Sequence, residues 1–202
     1  QTLDALLDAL AEDAGHALGP DDTLVFVGDY VDRGPDSPGV LDRVLALEAD
    51  PHGPRVVALR GNHDQMMLDY ALGVGDTELW WANGGRTTLL AYQDRGDEAI
   101  PDAHIDLLRR TGLAFEAEGF VFVHAGLDPD LSIADNLAEA DPQTMLWTRA
   151  HLDADLSKWE RPVVCGHTPV TEPVDAPALI LIDTGAVYTN RPGYGRMTAV
   201  RI

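Results

Sequence analysis

Polar residues suited to binding metal ions and phosphate occur in several short motifs of this sequence. Segment 28–34 reads GDYVDRG, and its Asp29 lies where glycines let the backbone turn sharply. That carboxylate is well placed to bridge two cations. Arg33, four residues on, offers a planar guanidinium for two phosphate oxygens. The same pattern also fits an ordinary turn in which Asp and Arg pair with each other.

A second motif, GNHD at residues 61–64, combines a metal ligand with an acid–base group. Asn62 offers a neutral oxygen to a divalent cation. Adjacent side chains diverge at a turn, so His63 can face a substrate while Asn62 faces the metal. We expect Asp64 to accept a hydrogen bond from the His63 ring and hold it protonated, as a general acid requires. Taken alone, the motif also fits a capped turn.

Two histidines, His124 and His167, each follow a short apolar run. Imidazole is the commonest ligand of borderline divalent metals, although one such histidine alone is more typical of a structural role. Together with Asp29 and Asn62, the two histidines make a complete protein ligand set for one ion. The remaining histidines are interpreted as surface residues: His16, His52, His104 and His151.

Alternating apolar strands and amphipathic helices must position these motifs. The predicted strands are 23–27, 55–59, 120–123, 162–165 and 178–182, with a closing strand at 197–202. Helices are predicted around residues 3–10, after Ser37 as N-cap, and from Asp102 to Gly112. The pattern predicts one layered α/β domain over residues 1–202, with strands buried on both faces. All strands but the last run into polar residues, which places a ligand site at their carboxyl ends.

Composition narrows the classes of function. The chain has 34 acidic and 14 basic residues, a formal net charge of −20, and thirteen of its bases are Arg. Such a field repels nucleic-acid backbones, so we expect no nucleic-acid partner. No run of 18 apolar residues is present, which predicts no membrane span, and the single Cys165 fits a reducing compartment. We therefore expect a cytoplasmic protein; the sequence is silent on its oligomeric state.

With these blocks in order, the chain resembles the calcineurin-like metallophosphoesterases. Further matches are WANGG at 81–85, LWTR at 146–149, GHTP at 166–169 and IDTGA at 182–186. Within that superfamily the chain looks most like the phosphoprotein phosphatase branch, and there like the bacterial and bacteriophage lambda-type serine/threonine protein phosphatases. The resemblance implies a layered α/β/β/α sandwich. It also implies two divalent cations, Mn²⁺ by preference, while the ligand chemistry itself admits iron or zinc.

The resemblance implies a role for each matching residue. Asp29 would bridge the two metals, and Asn62, His124 and His167 would hold the second one. The other roles implied are a phosphate clamp of Arg33 and Arg149, and protonation of the leaving alkoxide by His63, steadied by Asp64. The two cations would activate a bridging water that hydrolyses the ester directly, without a phosphoenzyme.

The front of the sequence departs from the resemblance. The family opens with a strand ending Gly-Asp-x-His-Gly, which nothing here matches, and the segment from Gln1 looks like the helix that follows it. We therefore expect a chain truncated at its N-terminus, with its first strand missing and its first metal site incomplete. The functional hypotheses are a phosphoprotein phosphatase, favoured by residues 83–85 and 147–149, a bis(5′-nucleosidyl) tetraphosphate hydrolase, and a non-catalytic phosphate-binding domain.

Overall fold

The computed structural model describes residues 2–139 and 141–202, which form a mixed α/β fold. Gln1, part of the predicted first helix, lies outside the described residues. The elements in chain order are α1 (Thr2–Ala14), β1 (Thr23–Phe26), α2 (Ser37–Ala49), β2 (Arg55–Ala58), α3 (Asn62–Leu72), α4 (Thr77–Trp80), α5 (Arg86–Arg95), α6 (Asp102–Arg110), β3 (Ala114–Ala117), β4 (Phe120–Val123), α7 (Ile133–Glu139), α8 (Pro142–Trp147), β5 (Val163–Cys165), β6 (Val174–Asp175) and β7 (Leu179–Leu181). They form two compact units: unit 1 contains residues 2–16 and 112–202, and unit 2 contains residues 17–111.

Unit 2 is built around a two-stranded parallel sheet. Strand β1 pairs with β2, with Thr23 opposite Arg55, and α2 connects the two strands. Helix α2 packs on α5 and α6, and Leu41 and Val44 of α2 are fully buried there. A π-helical turn at Trp81–Gly85 joins α4 to α5. Because β1 and β2 are parallel, their carboxyl ends lie at the same edge, where the GDYVDRG and GNHD motifs begin.

Unit 1 contains a five-stranded sheet in the order β3-β4-β5-β7-β6. Its three central strands are parallel, and β3 and β6 pair antiparallel at the two edges. The core residues of the central strands include Val121, Val163 and Leu179. These strands are buried on both faces, as the sequence predicted, whereas β1 and β2 of unit 2 are only half-buried.

Several element boundaries differ from the prediction. Asp36, not Ser37, is the N-cap of α2, because its carboxylate accepts the Gly39 N–H. Asp102 lies within the first turn of α6, and Pro101 occupies the cap position. Segment 197–202 forms no strand, and the short edge strands β3 and β6 were not predicted.

Two histidines interpreted as surface residues are buried in the structure. His104 is 1% exposed on α6 and bonds the Tyr92 hydroxyl and the Asp42 carboxylate. His151 is also 1% exposed, and burial lowers its pKa to about 4. The interpretation was wrong for both, and it is confirmed for His16 and His52, which are exposed.

No helix of the described residues combines the length and apolar character needed to cross a membrane.

Candidate active site

The backbones at the ends of β1 and β2 approach each other too closely for side chains. A Cβ on Gly28 would lie 2.4 Å from the Gly61 nitrogen, and a Cβ on Gly61 would lie 2.1 Å from Asp29 Oδ1. Gly28 also has a φ of +94°, which favours glycine. The glycines of both motifs are therefore required for this contact, which brings the Asp29 carboxylate to the start of α3. There Asp29 Oδ1 accepts the His63 N–H at 3.2 Å.

The Asp64 side chain bonds the backbone of both the GDYVDRG and the GNHD motif. Its carboxylate accepts three backbone N–H groups, from Asp29 at 2.7 Å, Tyr30 at 2.9 Å and Gly61 at 2.8 Å. Asp64 is fully buried. Burial raises its pKa to about 7, the Asp29 carboxylate adds to this, and the three hydrogen bonds oppose it. As the third residue of α3, Asp64 turns its side chain back towards the start of the helix and the end of β1.

The expected contact between Asp64 and the His63 ring is wrong. The partner of His63 is Asp32, whose Oδ2 lies 2.6 Å from His63 Nδ1. Both side chains are buried, with 5% and 1% exposure for His63 and Asp32. A hydrogen bond at Nδ1 fixes the orientation of the ring and places a proton on it, which leaves Nε2 as the other proton-exchanging atom.

Asp32 is held by a polar network that the sequence did not reveal. Trp80 Nε1 donates to its carboxylate at 3.0 Å, and the Thr88 hydroxyl donates to Oδ1 at 2.8 Å. The Asp32 N–H in turn donates to Thr88 Oγ1 and to Ser37 Oγ. The indole of Trp80 packs against Gly85, where an added Cβ would lie 2.4 Å from the ring. The NGG block at residues 83–85 therefore positions Trp80, and through it Asp32 and His63.

The backbone of the GDYVDRG motif is strained at all three of its charged residues. Asp29, Asp32 and Arg33 have φ values of 60°, 74° and 61°, a region that non-glycine residues rarely adopt. Such residues cluster at functional sites because the surrounding structure must hold them there. The strain turns Arg33 outwards over Gly84, where an added Cβ would lie 2.7 Å from Arg33 Cγ.

Unit 1 contributes the two histidines. His124 follows β4 directly, and His167 follows β5 by two residues with a strained φ of 60°. Since β4 and β5 are parallel neighbours, both residues lie at the same sheet edge, with His124 Nε2 3.2 Å from His167 Nδ1. Two imidazole nitrogens on one cation, each at about 2.1 Å and at an angle of roughly 90–109°, lie about 3.0–3.4 Å apart. The observed spacing therefore fits two ligands of one ion.

Both predicted phosphate-clamp residues are exposed and have no carboxylate partner among the described residues. Arg33 belongs to unit 2, and Arg149 follows α8 in unit 1, at the start of a 3₁₀ turn. Six other arginines of the described residues form ion pairs with carboxylates: Arg95, Arg109, Arg110, Arg161, Arg196 and Arg201. A guanidinium left outside such pairs retains its full capacity to bind an anion.

Replacing Asp64 by alanine is expected to lower the free energy of unfolding by about 3 kcal/mol. Three buried backbone donors lose their acceptor, and each unsatisfied buried donor costs about 1–3 kcal/mol. Urea denaturation followed by circular dichroism measures the change. Asp106→Ala is the matched control, because Asp106 is exposed and pairs only with Arg109 on the surface of α6. A loss no larger than that of the control would contradict the bonding role of Asp64.

Comparisons with known proteins identify a family and several relatives of this chain. The sequence pattern of a family described as calcineurin-like phosphoesterase matches residues 1–192. A symmetrical bis(5′-nucleosyl)-tetraphosphatase of Janthinobacterium sp. (strain Marseille) is 38% identical over 122 residues, which are 60% of this chain and 39% of that protein. Serine/threonine-protein phosphatase 1 of Salmonella typhimurium is 34% identical over 190 residues, 90% of this chain and 79% of that protein. The chain thus spans about two fifths of the length of the first relative and about four fifths of the second.

Solved structures share the fold. A protein serine/threonine phosphatase from Saccharomyces cerevisiae superimposes with a TM-score of 0.57 at 18% sequence identity, covering 96% of this chain and 67% of the other. A metallophosphoesterase from Sphaerobacter thermophilus superimposes with a TM-score of 0.51, also at 18% identity, covering 90% of this chain and 72% of the other. The mixed α/β architecture described above is therefore the fold of these proteins.

Proposed function

Because the chain belongs to the calcineurin-like phosphoesterase family, we propose that it is a metal-dependent phosphoric ester hydrolase in which His63 protonates the leaving group. The observation that carries this proposal is the buried His63–Asp32 pair. A short hydrogen bond between Nδ1 and a carboxylate fixes the orientation of the ring, as a general acid requires.

The residues present fit a divalent cation. The proposed ligands are Asp29, Asn62, His124 and His167, and the close pair of imidazole nitrogens of the two histidines supports this set. A carboxylate, an amide oxygen and two imidazoles suit Mn²⁺ as well as iron or zinc, and Mn²⁺ is our first choice from the family resemblance. When bound, such a cation supplies Lewis-acid polarisation of the phosphoryl oxygens and lowers the pKa of water.

The chain's own residues then perform two tasks. Asp32 holds the His63 ring through Nδ1, so that Nε2–H is free to donate its proton to the departing oxygen. The guanidinium groups of Arg33 and Arg149 bind the phosphoryl oxygens, whose charge rises as the ester bond breaks. Asp64 serves as a structural tie between the two motifs and takes no part in proton transfer.

The first substrate candidate is a phosphoserine or phosphothreonine residue of a protein. The supporting observation is a match to a serine/threonine phosphatase that extends over 90% of the chain. The second candidate is a dinucleoside polyphosphate, since the symmetrical tetraphosphatase has the higher identity, although over a shorter segment. Both candidates use the same acid and the same phosphate clamp, and they differ only in what surrounds the phosphate.

A paired assay distinguishes these candidates. The chain, supplied with Mn²⁺, is incubated with a phosphoserine peptide and with diadenosine tetraphosphate, and phosphate and nucleotide products are quantified. p-Nitrophenyl phosphate serves as the reference substrate. We expect kcat/KM to be highest for the phosphoserine peptide. Exclusive cleavage of the dinucleotide would overturn the first candidate. Cleavage of none of the three would favour the alternative of a non-catalytic phosphate-binding domain.

A further inference from the structure

A compact aromatic loop follows β7 in unit 1, and none of the functional assignments above uses it. The aromatic loop comprises residues 185–195 and contains Tyr188, Arg191 and Tyr194. The two tyrosine rings meet edge to face with centroids 6.3 Å apart, and the Arg191 guanidinium lies over the Tyr188 ring at 4.7 Å. Both rings are only half-buried and Arg191 is exposed, so the cluster presents a stacking surface to solvent.

The aromatic loop is firmly held at its base. Gly185 has a φ of +66°, and a Cβ there would lie 2.9 Å from both tyrosine rings, so the loop closes tightly around this glycine. The Gly195 N–H donates to the Gly185 carbonyl, and the Thr184 hydroxyl donates to the Arg196 carbonyl at 2.9 Å. A loop tied in this way presents its side chains in a fixed arrangement, which lowers the entropic cost of binding a ligand.

The aromatic loop lies beside the segment that carries His167. Strand β7 is the parallel neighbour of β5, so the loop leaves the same sheet edge as His167. The segment after His167 also packs on the loop: the Val170 N–H donates to the Asp183 carbonyl, and Thr171 contacts Gly193. The aromatic loop and its base therefore contact residues 170–171, which follow His167 closely along the chain in the same unit.

Arg191, like Arg33 and Arg149, is an exposed arginine outside the ion pairs of the described residues. Among the described residues no carboxylate pairs with it, although the chain has 34 acidic residues. Elsewhere in the structure, acidic side chains form ion pairs with Arg95, Arg161 and Arg196. A guanidinium stacked on a tyrosine and free of carboxylates is suited to a ligand that has both a planar ring and negative charge.

The geometry points to Tyr188, Arg191 and Tyr194 as a nucleoside-binding site that holds the base of a nucleotide whose phosphate lies at the proposed metal centre. Aromatic faces bind any base by stacking, and arginine adds a charge contact to the phosphate chain. This inference rests on the proposed function for the position of the phosphate. It adds a structural observation in favour of the second substrate candidate, a dinucleoside polyphosphate.

Direct binding tests this inference without turnover. Calorimetry of the Mn²⁺-loaded chain compares adenosine 5′-monophosphate with inorganic phosphate, and we expect the nucleotide to bind at least about tenfold more tightly, since stacking on one aromatic ring is worth about five- to 150-fold in affinity. Tyr188→Leu and Arg191→Ala should each reduce that preference several-fold. Tyr188→Phe keeps the ring and should retain it. Arg201→Ala, which removes an exposed arginine paired with Asp13, is the matched control for charge and should leave the preference unchanged.

Three results would overturn the nucleoside-binding site: equal affinity for the nucleotide and for phosphate, no measurable binding of either, or a preference that survives both Tyr188→Leu and Arg191→Ala. Phosphotyrosine binding as tightly as the nucleotide, with the same loss in both variants, would instead show a site for an aromatic residue of a peptide. Hydrolysis of p-nitrophenyl phosphate is measured separately. A nucleotide preference without any hydrolysis would support the site and refute only the proposed catalytic function.

Discussion

Replacing Asp32 by asparagine is expected to lower kcat for a phosphoserine peptide by about 100-fold or more, the range in which general acid catalysis contributes. Asparagine preserves the shape of the side chain and can still accept from Trp80 or Thr88. It removes the negatively charged acceptor of His63 Nδ1, and its amide group can meet that nitrogen as a second donor. His63→Asn should cause a loss of similar size, because the two residues act as one unit.

The dependence on the leaving group shows whether the loss concerns proton transfer. A serine alkoxide leaves with difficulty unless it is protonated, whereas p-nitrophenolate is a stable anion that needs little protonation. The loss in Asp32→Asn should therefore be much smaller with p-nitrophenyl phosphate than with the peptide. Equal losses for both substrates would show that Asp32 acts through the structure alone.

The protein offers a matched control for this experiment. His104 and Asp42 form a second histidine–carboxylate pair in unit 2, with Nε2 and Oδ1 2.8 Å apart. Asp42→Asn makes the same chemical change away from the proposed site. We expect it to leave kcat within about twofold, as is usual for substitutions that affect stability only.

His63 bonds Asp32 and not the expected Asp64, and this difference has a physical cause. Asp64 was expected to bond the His63 ring because it is the next residue in the chain, but the side chains of neighbouring residues at the start of a helix point in different directions. Asp64 turns back to the backbone of the preceding motif. Asp32 reaches His63 only because its backbone adopts a φ of 74° and because β1 and β2 bring two distant motifs together. A positive φ at a non-glycine residue cannot be read from residue type.

Strand ends were the most predictable feature of the site. Buried parallel strands have a strong apolar signal, and each is followed by polar residues, so the positions of Asp29, Asn62 and His124 followed from the pattern. No comparable sequence pattern marks the residues that bond Asp32. Trp80 is fully buried, and its ring nitrogen bonds a carboxylate 48 positions earlier in the chain. Contacts at such separations depend on tertiary packing.

Buried histidines were equally hidden from sequence reasoning. His104 lies in a helix with many charged residues, and nothing in its local pattern indicates that the Tyr92 hydroxyl and the Asp42 carboxylate take up its two ring nitrogens. The edge strands β3 and β6 were missed for a different reason. Strand β6 has two residues, too short for a period-two pattern, and β3 reads AFEA, without the β-branched residues that mark the predicted strands.

The second large expected effect concerns the metal. His167→Ala is expected to weaken Mn²⁺ binding by about 100-fold or more, since loss of a residue that merely orients a ligand already costs about 10–100-fold. Asn62→Ala should weaken binding of the same ion, because an ion that four ligands share loses affinity when any one of them is removed. Calorimetric titration of the chelator-treated chain measures both affinities.

The control for this titration is His52→Ala, which removes an exposed imidazole and should leave Mn²⁺ affinity unchanged. The pattern of losses distinguishes two arrangements of ligands. If His167→Ala abolishes binding while Asn62→Ala has no effect, the ion is held by the histidines of unit 1 alone, and the proposed four-residue set is wrong. If both variants lose the ion and both lose hydrolysis of p-nitrophenyl phosphate, the cation that needs Asn62 and His167 is required for catalysis.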